Sequence, residues 1–267
     1  MNLAILAAQW QGDPAMMVGI AEPTGPRILA TTGDVTARRP WASVSKVAVG
    51  LAAMISVEGE RGSLEDGHGP EGATVAHLLS HASGLGFEAS ERAIGVGVRR
   101  VYSNVGIDLA AAYFAPDDPI EWVRDTALTP LGFSGAYRDR VCAGIEGSAQ
   151  EMVALANELL VPRLMSAASQ RRMLEPFLPE LSGITPPFGR QTPNWWGMGP
   201  ELKGGKEHWM GHWPSASFGH FGRSGAMLLC DPTTNFFIVA TSTEPFGPWA
   251  LDLWPTWIDR VRTMVLA

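Results

Sequence analysis

Ser43 and Lys46, three residues apart in the stretch WASVSK, are the first pair in this chain with the types and spacing for chemistry. On a helix, residues i and i+3 share a face, so the Ser43 hydroxyl and the Lys46 amine can meet while Ser45 points elsewhere. Lysine is scarce: Lys46, Lys203 and Lys206 are the only ones. Lys46 is followed by the apolar run VAVGLAA, through which its stem must pass. Desolvation and the positive end of the helix dipole both disfavour an ammonium there. A lysine with a lowered pKa can take the proton from a serine hydroxyl, the activation a serine nucleophile requires. The same helix N-terminus brings the Ser43 N–H to where a developing oxyanion could use it. A bare S-x-x-K also fits a plainer arrangement, in which Ser43 caps the helix and Lys46 snorkels from its end. Two further stretches hold polar groups suited to the same chemistry, Tyr102-Ser103-Asn104 in VYSN and His220-Phe221-Gly222-Arg223 in FGHFGRSG.

Sequence pattern predicts the elements that position these groups. Residues 2–10 read as a short helix, and MMVGIAEPTGPRILATTGD holds two extended runs around a Pro-Thr-Gly-Pro turn, the signal of a hairpin. From Ser43 to about Val57 the sequence SVSKVAVGLAAMISV has no polar face, so a helix there is buried on all sides. Farther on, TVAHLLSHA, VGIDLAAAYF, AQEMVALANELL and SAASQRRMLEP show helical patterns between Gly- and Pro-rich loops. FGHFGRSGAMLLC and FFIVATST flank the turn DPTTN as a second antiparallel hairpin, and a helix over about 249–265 closes the chain. Strands near both termini with helices between them predict an α/β fold. Residues 1–57 plus 207–267 would form a central antiparallel sheet flanked by helices. Residues 58–206 would be an inserted, mainly helical lobe, with a site in the cleft between the two.

A chain of 267 residues that is 46% hydrophobic and 18% charged has the balance of a globular protein with ample core. Its net charge of −7 argues against nucleic acid as a partner, because phosphate binding needs a basic face. No stretch approaches the ~20 apolar residues of a membrane span. The N-terminus MNLAILAAQWQGD has a short apolar stretch and no basic start, so no secretory leader is predicted and the cytoplasm is the default location. Cys142 and Cys230 lie far apart without CxxC spacing, which disfavours a zinc site or redox pair and leaves a single disulfide open. His77 and His81 have the i, i+4 spacing of zinc ligands, but no HExxH glutamate accompanies them. His208 and His212 repeat the spacing in sequence that reads as extended or loop. Structural histidines, no metal and no cofactor are the expectation. Trp195, Trp196, Trp209 and Trp213 precede the third polar stretch and suit core packing or an apolar acyl pocket. Gly95-Val96-Gly97 lacks the lysine and the strand-to-helix context of a phosphate loop.

The three polar stretches, in this order and at these separations, resemble the serine beta-lactamase and penicillin-binding protein superfamily, and most closely its branch of class C beta-lactamases, D-aminopeptidase-like enzymes and serine esterases. HLLSHASGL at 77–85 is similar to that branch's HLLTHTSGL segment, and TPLGF at 129–133 to its PLGM turn. GSAQEMVALANELL and LMSAASQRRMLEP also fit, so the resemblance spans most of the chain. It implies the beta-lactamase/D,D-peptidase fold and a serine hydrolase working through an acyl-enzyme. Ser43 would be the nucleophile, Lys46 its general-base partner and Tyr102 the phenol that relays protons to the leaving group. Asn104 would donate to the substrate carbonyl or to Lys46. His220 and Gly222 would line the cleft, and the Arg223 N–H would be the second oxyanion donor.

Two departures bear on the substrate, a small ester, amide or beta-lactam-like molecule. The third motif usually begins with lysine, whose charge holds a substrate carboxylate. Here it begins with His220, neutral or partly charged at pH 7, and Phe221 replaces the usual hydroxyl residue. Both changes favour neutral esters or amides, although Arg223 or Arg190 could restore a charge. Only about fifteen residues separate HASGL from Tyr102, so the helical lobe is trimmed. Beta-lactamase or D,D-peptidase activity, acyl transfer to an alcohol or amine, and an inactive relative that binds an acyl or peptide ligand are the alternatives. Oligomeric state is open.

Overall fold

The two ends of the chain meet side by side in one sheet. The computed structural model describes residues 3–88 and 94–266. A short helix, α1 (Leu3–Ala7), leads into the hairpin β1 (Ala15–Ile20) and β2 (Arg27–Thr32). After β3 (Arg39–Pro40), a 3-10 turn at Ala42–Val44 opens into α2 (Ser45–Glu58). The middle of the chain supplies α3 (Val75–Leu79), β4 (Arg100–Val101), α4 (Asn104–Phe114), α5 (Pro119–Val123), β5 (Ala136–Tyr137) and β6 (Ile145–Gly147). It continues through α6 (Ala149–Leu160), α7 (Ala167–Leu174), β7 (Gly183–Ile184), β8 (Arg190–Gln191) and β9 (Glu201–Leu202). The second hairpin and its preceding loop give β10 (Phe218–Phe221), β11 (Met227–Asp231) and β12 (Phe236–Thr241), before α8 (Pro248–Leu266).

The main sheet has the order β2-β1-β12-β11-β10-β9, antiparallel throughout, with β1 from the start of the chain paired to β12 from its end. Its central strands are apolar at nearly every position because both faces are covered. Met17, Leu228 and Val239 face the core that includes α2 and α6. Their neighbours Met16, Met227 and Ile238 face a second core, closed by α1 and by Trp254 and Trp257 of α8. Two elements from the middle of the chain belong to this sheet region: α6 packs on β1, β11 and β12, and β9 extends the edge beside β10. Among the described residues no helix is long and apolar enough to cross a membrane. Cys142 and Cys230 are both buried and unbridged.

Helix α2 is buried almost throughout, as a run without a polar face requires. Its Gly50 has a direct packing reason: a Cβ there would lie 2.0 Å from the Met198 carbonyl oxygen, so the 197–199 segment rests on the helix backbone. The expected helix over TVAHLLSHA is shorter, ending at Leu79. His81 adopts φ +61°, a left-handed conformation that takes it out of the helix, so His77 and His81 do not share a helical face.

The segment carrying Tyr102 is anchored by Arg100, which is 2% exposed. Its guanidinium donates to the carbonyls of Ser80 (2.7 Å) and Leu178 (3.0 Å), and also to those of Phe177 and Asn194. One side chain thereby joins the end of α3, the loop after α7 and the loop before β9 to β4. Arg100→Ala leaves the Ser80, Phe177 and Asn194 carbonyls without this donor, at ~1–3 kcal/mol for each that water cannot reach, while Leu178 keeps the Leu181 N–H. The variant should lose about 3 kcal/mol of stability or more, read as a fall in the urea midpoint. A loss below about 1 kcal/mol would show that the anchor is dispensable.

Candidate active site

Ser43 lies in the 3-10 turn that precedes α2, one residue after Ala42, whose φ of +46° is left-handed and strained for a residue with a Cβ. That kink presses the Trp41 carbonyl against Gly222, where a Cβ would sit only 2.3 Å from the carbonyl oxygen. Gly222 is therefore required by close approach of the chain to itself, and it is not among the residues that line the cavity. The plainer reading of Ser43 and Lys46 also fails. No side chain caps α2, whose N-cap residue is Val44, and Lys46 has no exposed surface. Lys46 instead turns inward, with its Nζ 3.1 Å from Ser43 Oγ and 3.1 Å from the Cys142 carbonyl oxygen. Ser45 points away, as the helical spacing requires, and accepts from the Ile145 N–H (3.1 Å).

The carbonyl that holds Lys46 is itself held. The Cys142 N–H donates to Asp108 Oδ1 (2.9 Å), and Asp108 Oδ2 pairs with Arg140 (2.7 Å). Arg140 reaches on to Glu88 (2.8 Å), whose other oxygen accepts from Asn104 Nδ2 (3.1 Å). The Asn104 amide is thus directed to Glu88 and not to Lys46, and Asn104 does not line the cavity above Ser43. Its place at the start of α4, just after the N-cap Ser103, turns it towards the Glu88 side.

Over Ser43 lies a cavity of about 300 Å³. With Ser43, its walls are Tyr102, Trp196, His220 and Arg223, the apolar Phe87, Pro186, Pro187, Phe221 and Phe246, and Thr185 and Glu201. The Lys46 amine is 5.0 Å from the centre of the Tyr102 ring. His220 Nδ1 is 2.7 Å from the Phe221 carbonyl oxygen, which can only accept, so Nδ1 carries the hydrogen. His220 Nε2 then accepts from the Tyr102 hydroxyl (3.3 Å). Burial, and secondarily the charge of Lys46, push the His220 pKa down to about 3, so the ring is neutral across the physiological range. Among the described residues neither the Ser43 nor the Arg223 backbone N–H has an acceptor in the chain, and both residues line the cavity. The Arg223 side chain is exposed at the rim, and Arg190 lies outside the cavity.

The other two lysines belong to a buried cluster in the cavity wall. Glu201 accepts from Lys206 (2.7 Å) and Trp209 (2.8 Å) and pairs with His208 Nε2 (3.1 Å). Burial alone would raise the Glu201 carboxyl, but the Lys206 and His208 partners hold it well below the usual carboxylate range. Lys203 donates to the Lys206 carbonyl. His77 pairs with Thr74, His81 accepts from the Ser103 N–H (3.1 Å) and His212 pairs with Asp259, so each histidine singled out for its spacing has a protein partner.

A model of the family described as Beta-lactamase matches residues 31–261. The chain belongs to the Beta-lactamase family. A beta-lactamase from Mycobacterium bovis is 32% identical over all of both chains, with a TM-score of 0.93. The penicillin-binding protein of Bacillus halodurans shares the fold at 15% identity and TM-score 0.73, covering 99% of each chain. So does the simvastatin synthase of Aspergillus terreus, at 14% identity and TM-score 0.76, covering 99% of this chain and 98% of that one. No curated protein matches the chain in sequence. The beta-lactamase/D,D-peptidase fold expected from the motifs is therefore the fold of this chain.

Within this family member, the structure brings Ser43, Lys46, Tyr102 and His220 together and leaves Asn104 outside. Of the four tryptophans considered for an acyl pocket, only Trp196 lines the cavity, while Trp209 and Trp213 pack in the second core. Phe87, Phe246 and Cys142 were not legible as site residues. Their only sequence signal was apolar character, and a backbone carbonyl carries no residue-specific mark.

His81 and His220 are both buried in the neutral form, with pKa values below the ordinary 6.5. The unfolded chain binds their protons first as pH falls, so stability is complete above about pH 6.5 and declines below it. Each histidine should contribute a slope of about 1.4 kcal/mol per pH unit between pH 6 and 5, before most carboxylates titrate. Denaturant unfolding at pH 7, 6 and 5 measures it, and a stability unchanged from pH 7 to 5 would contradict burial of neutral rings.

Proposed function

We propose that the protein is a serine hydrolase that cleaves neutral esters, and more slowly amides, through an acyl-enzyme on Ser43. The observation that carries this reading is the buried Lys46 amine, 3.1 Å from the Ser43 hydroxyl at the base of an apolar cavity. Lys46 takes the Ser43 proton as Oγ attacks the carbonyl carbon, and the Ser43 and Arg223 N–H groups receive the developing oxyanion. Collapse breaks the bond to the leaving group, which departs with a proton handed on by Tyr102. Water then attacks the acyl-enzyme with the same groups in reverse roles. The neutral His220 and the apolar Phe221 favour an uncharged substrate at the position where a carboxylate would need a cation.

A second reading, beta-lactam hydrolysis, is favoured by one observation: the 32% identical Mycobacterium bovis relative is described as a beta-lactamase. A panel of p-nitrophenyl butyrate, a matching anilide and nitrocefin separates the two, with nitrocefin turnover comparable to ester turnover deciding for the beta-lactam. Intact mass spectrometry after a fluorophosphonate should show one adduct, absent in Ser43→Ala. An unlabelled wild-type protein would instead point to an inactive ligand-binding relative. Lys46→Met should slow acylation by about 10²–10⁴-fold, the usual contribution of a positioned base, with folding retained. Unchanged acylation would remove the role given to Lys46.

A further inference from the structure

The apolar surface beside Ser43 continues past Tyr102 into a second groove of about 380 Å³. Phe87, Tyr102 and Pro186 are walls of both spaces, whereas Val101, Ile184 and Arg99 belong to the groove alone. Its base is held in place: β4 and β7 pair in parallel with Val101 opposite Ile184, and Arg100, itself part of the groove wall, ties β4 to the Ser80 and Leu178 carbonyls. Its rim leaves large apolar side chains in water, with Ile184 57% and Phe87 51% exposed. Exposed apolar groups bordering a catalytic cavity mark a surface that a ligand covers.

We propose that this groove receives the alcohol side of the substrate, so that the preferred ester carries apolar groups on both sides of its scissile carbonyl. The inference rests on the reading of Ser43 as nucleophile and Tyr102 as the group that protonates the leaving oxygen. When the bond from the carbonyl carbon to the alcohol oxygen breaks, its electron pair stays on that oxygen, which takes a proton and leaves as the free alcohol. The oxygen must then lie next to the Tyr102 phenol, and Tyr102 is the wall where the catalytic cavity opens into the groove. An alkyl chain on that oxygen runs out between Val101 and Ile184. The acyl chain then takes the cavity walls that the groove does not share, Phe221 and Phe246 among them.

The test is a series of propionate esters from methyl to hexyl, followed by proton release. For the wild-type protein kcat/KM should rise about threefold per added methylene over the first steps, as each is withdrawn from water. Ile184→Ser, at a half-exposed position that should not disturb folding, should cut the hexyl-to-methyl ratio at least tenfold, and Ile184→Leu should restore it. A flat wild-type series, or a ratio unchanged in Ile184→Ser, overturns the proposal. Calorimetric binding of the same esters to Ser43→Ala separates the two levels of the reading. Tighter binding of hexyl than methyl propionate without wild-type turnover would uphold the groove and refute the hydrolase. Turnover without any dependence on alcohol length, in rate or in binding, would do the reverse.

Discussion

An amine with no access to water is suspended between the Ser43 hydroxyl and the Cys142 carbonyl, and the surrounding architecture is arranged around that constraint. A buried amine must find hydrogen-bond acceptors within the protein. One comes from the 3-10 turn just before its helix, and the other from a loop nearly a hundred residues later. The helix must therefore be pinned against that loop, which Ser45 does through the Ile145 N–H, while Asp108 of α4 holds the loop through the Cys142 N–H. Burial has a consequence for the histidines too. His81 and His220 stay neutral chiefly because they are buried, so neither adds a cation beside the cavity.

The cations that could have marked the cleft for anions are occupied elsewhere. Arg100 spends its donors on loop carbonyls, and Lys206 is neutralised by Glu201 inside the cavity wall. Burial lowers the Lys206 pKa to about 8 against the attraction of Glu201. Among the described residues that line the cavity, the exposed Arg223 is the one arginine, and Arg99 lies in the adjoining groove. The cleft is thus apolar in its walls and neutral at the third motif, which is the physical ground for favouring uncharged esters over carboxylate-bearing substrates.

Much of the fold could be read from the chain because local pattern and tertiary environment agree. The hairpins around PTGP and DPTTN, the buried helix after Ser43 and the long closing helix all carry signals that depend on a few neighbouring residues. The disagreements occur where a distant contact overrides the pattern. TVAHLLSHA has helical periodicity through His81, yet the chain leaves the helix at Ser80, and His81 turns to accept from the Ser103 N–H. Gly222 was expected to line the cleft, and the carbonyl of Trp41, remote in sequence, lies against it. Asn104 was expected to donate to substrate or to Lys46, while its side-chain direction follows Glu88 across the loop.

The sequence by itself determined which groups can react and in what order along the chain they occur. Residue type and i, i+3 spacing are local properties, and the motifs containing Ser43, Tyr102 and His220 are short. Tertiary structure alone decided what surrounds them. The neutrality of His220 depends chiefly on burial, and the acceptor for Lys46 is a backbone carbonyl that any residue could provide. The cavity walls are likewise assembled from Phe87, Trp196 and Phe246, apolar residues far apart in sequence. Their role comes from convergence in space, which no single stretch of sequence encodes.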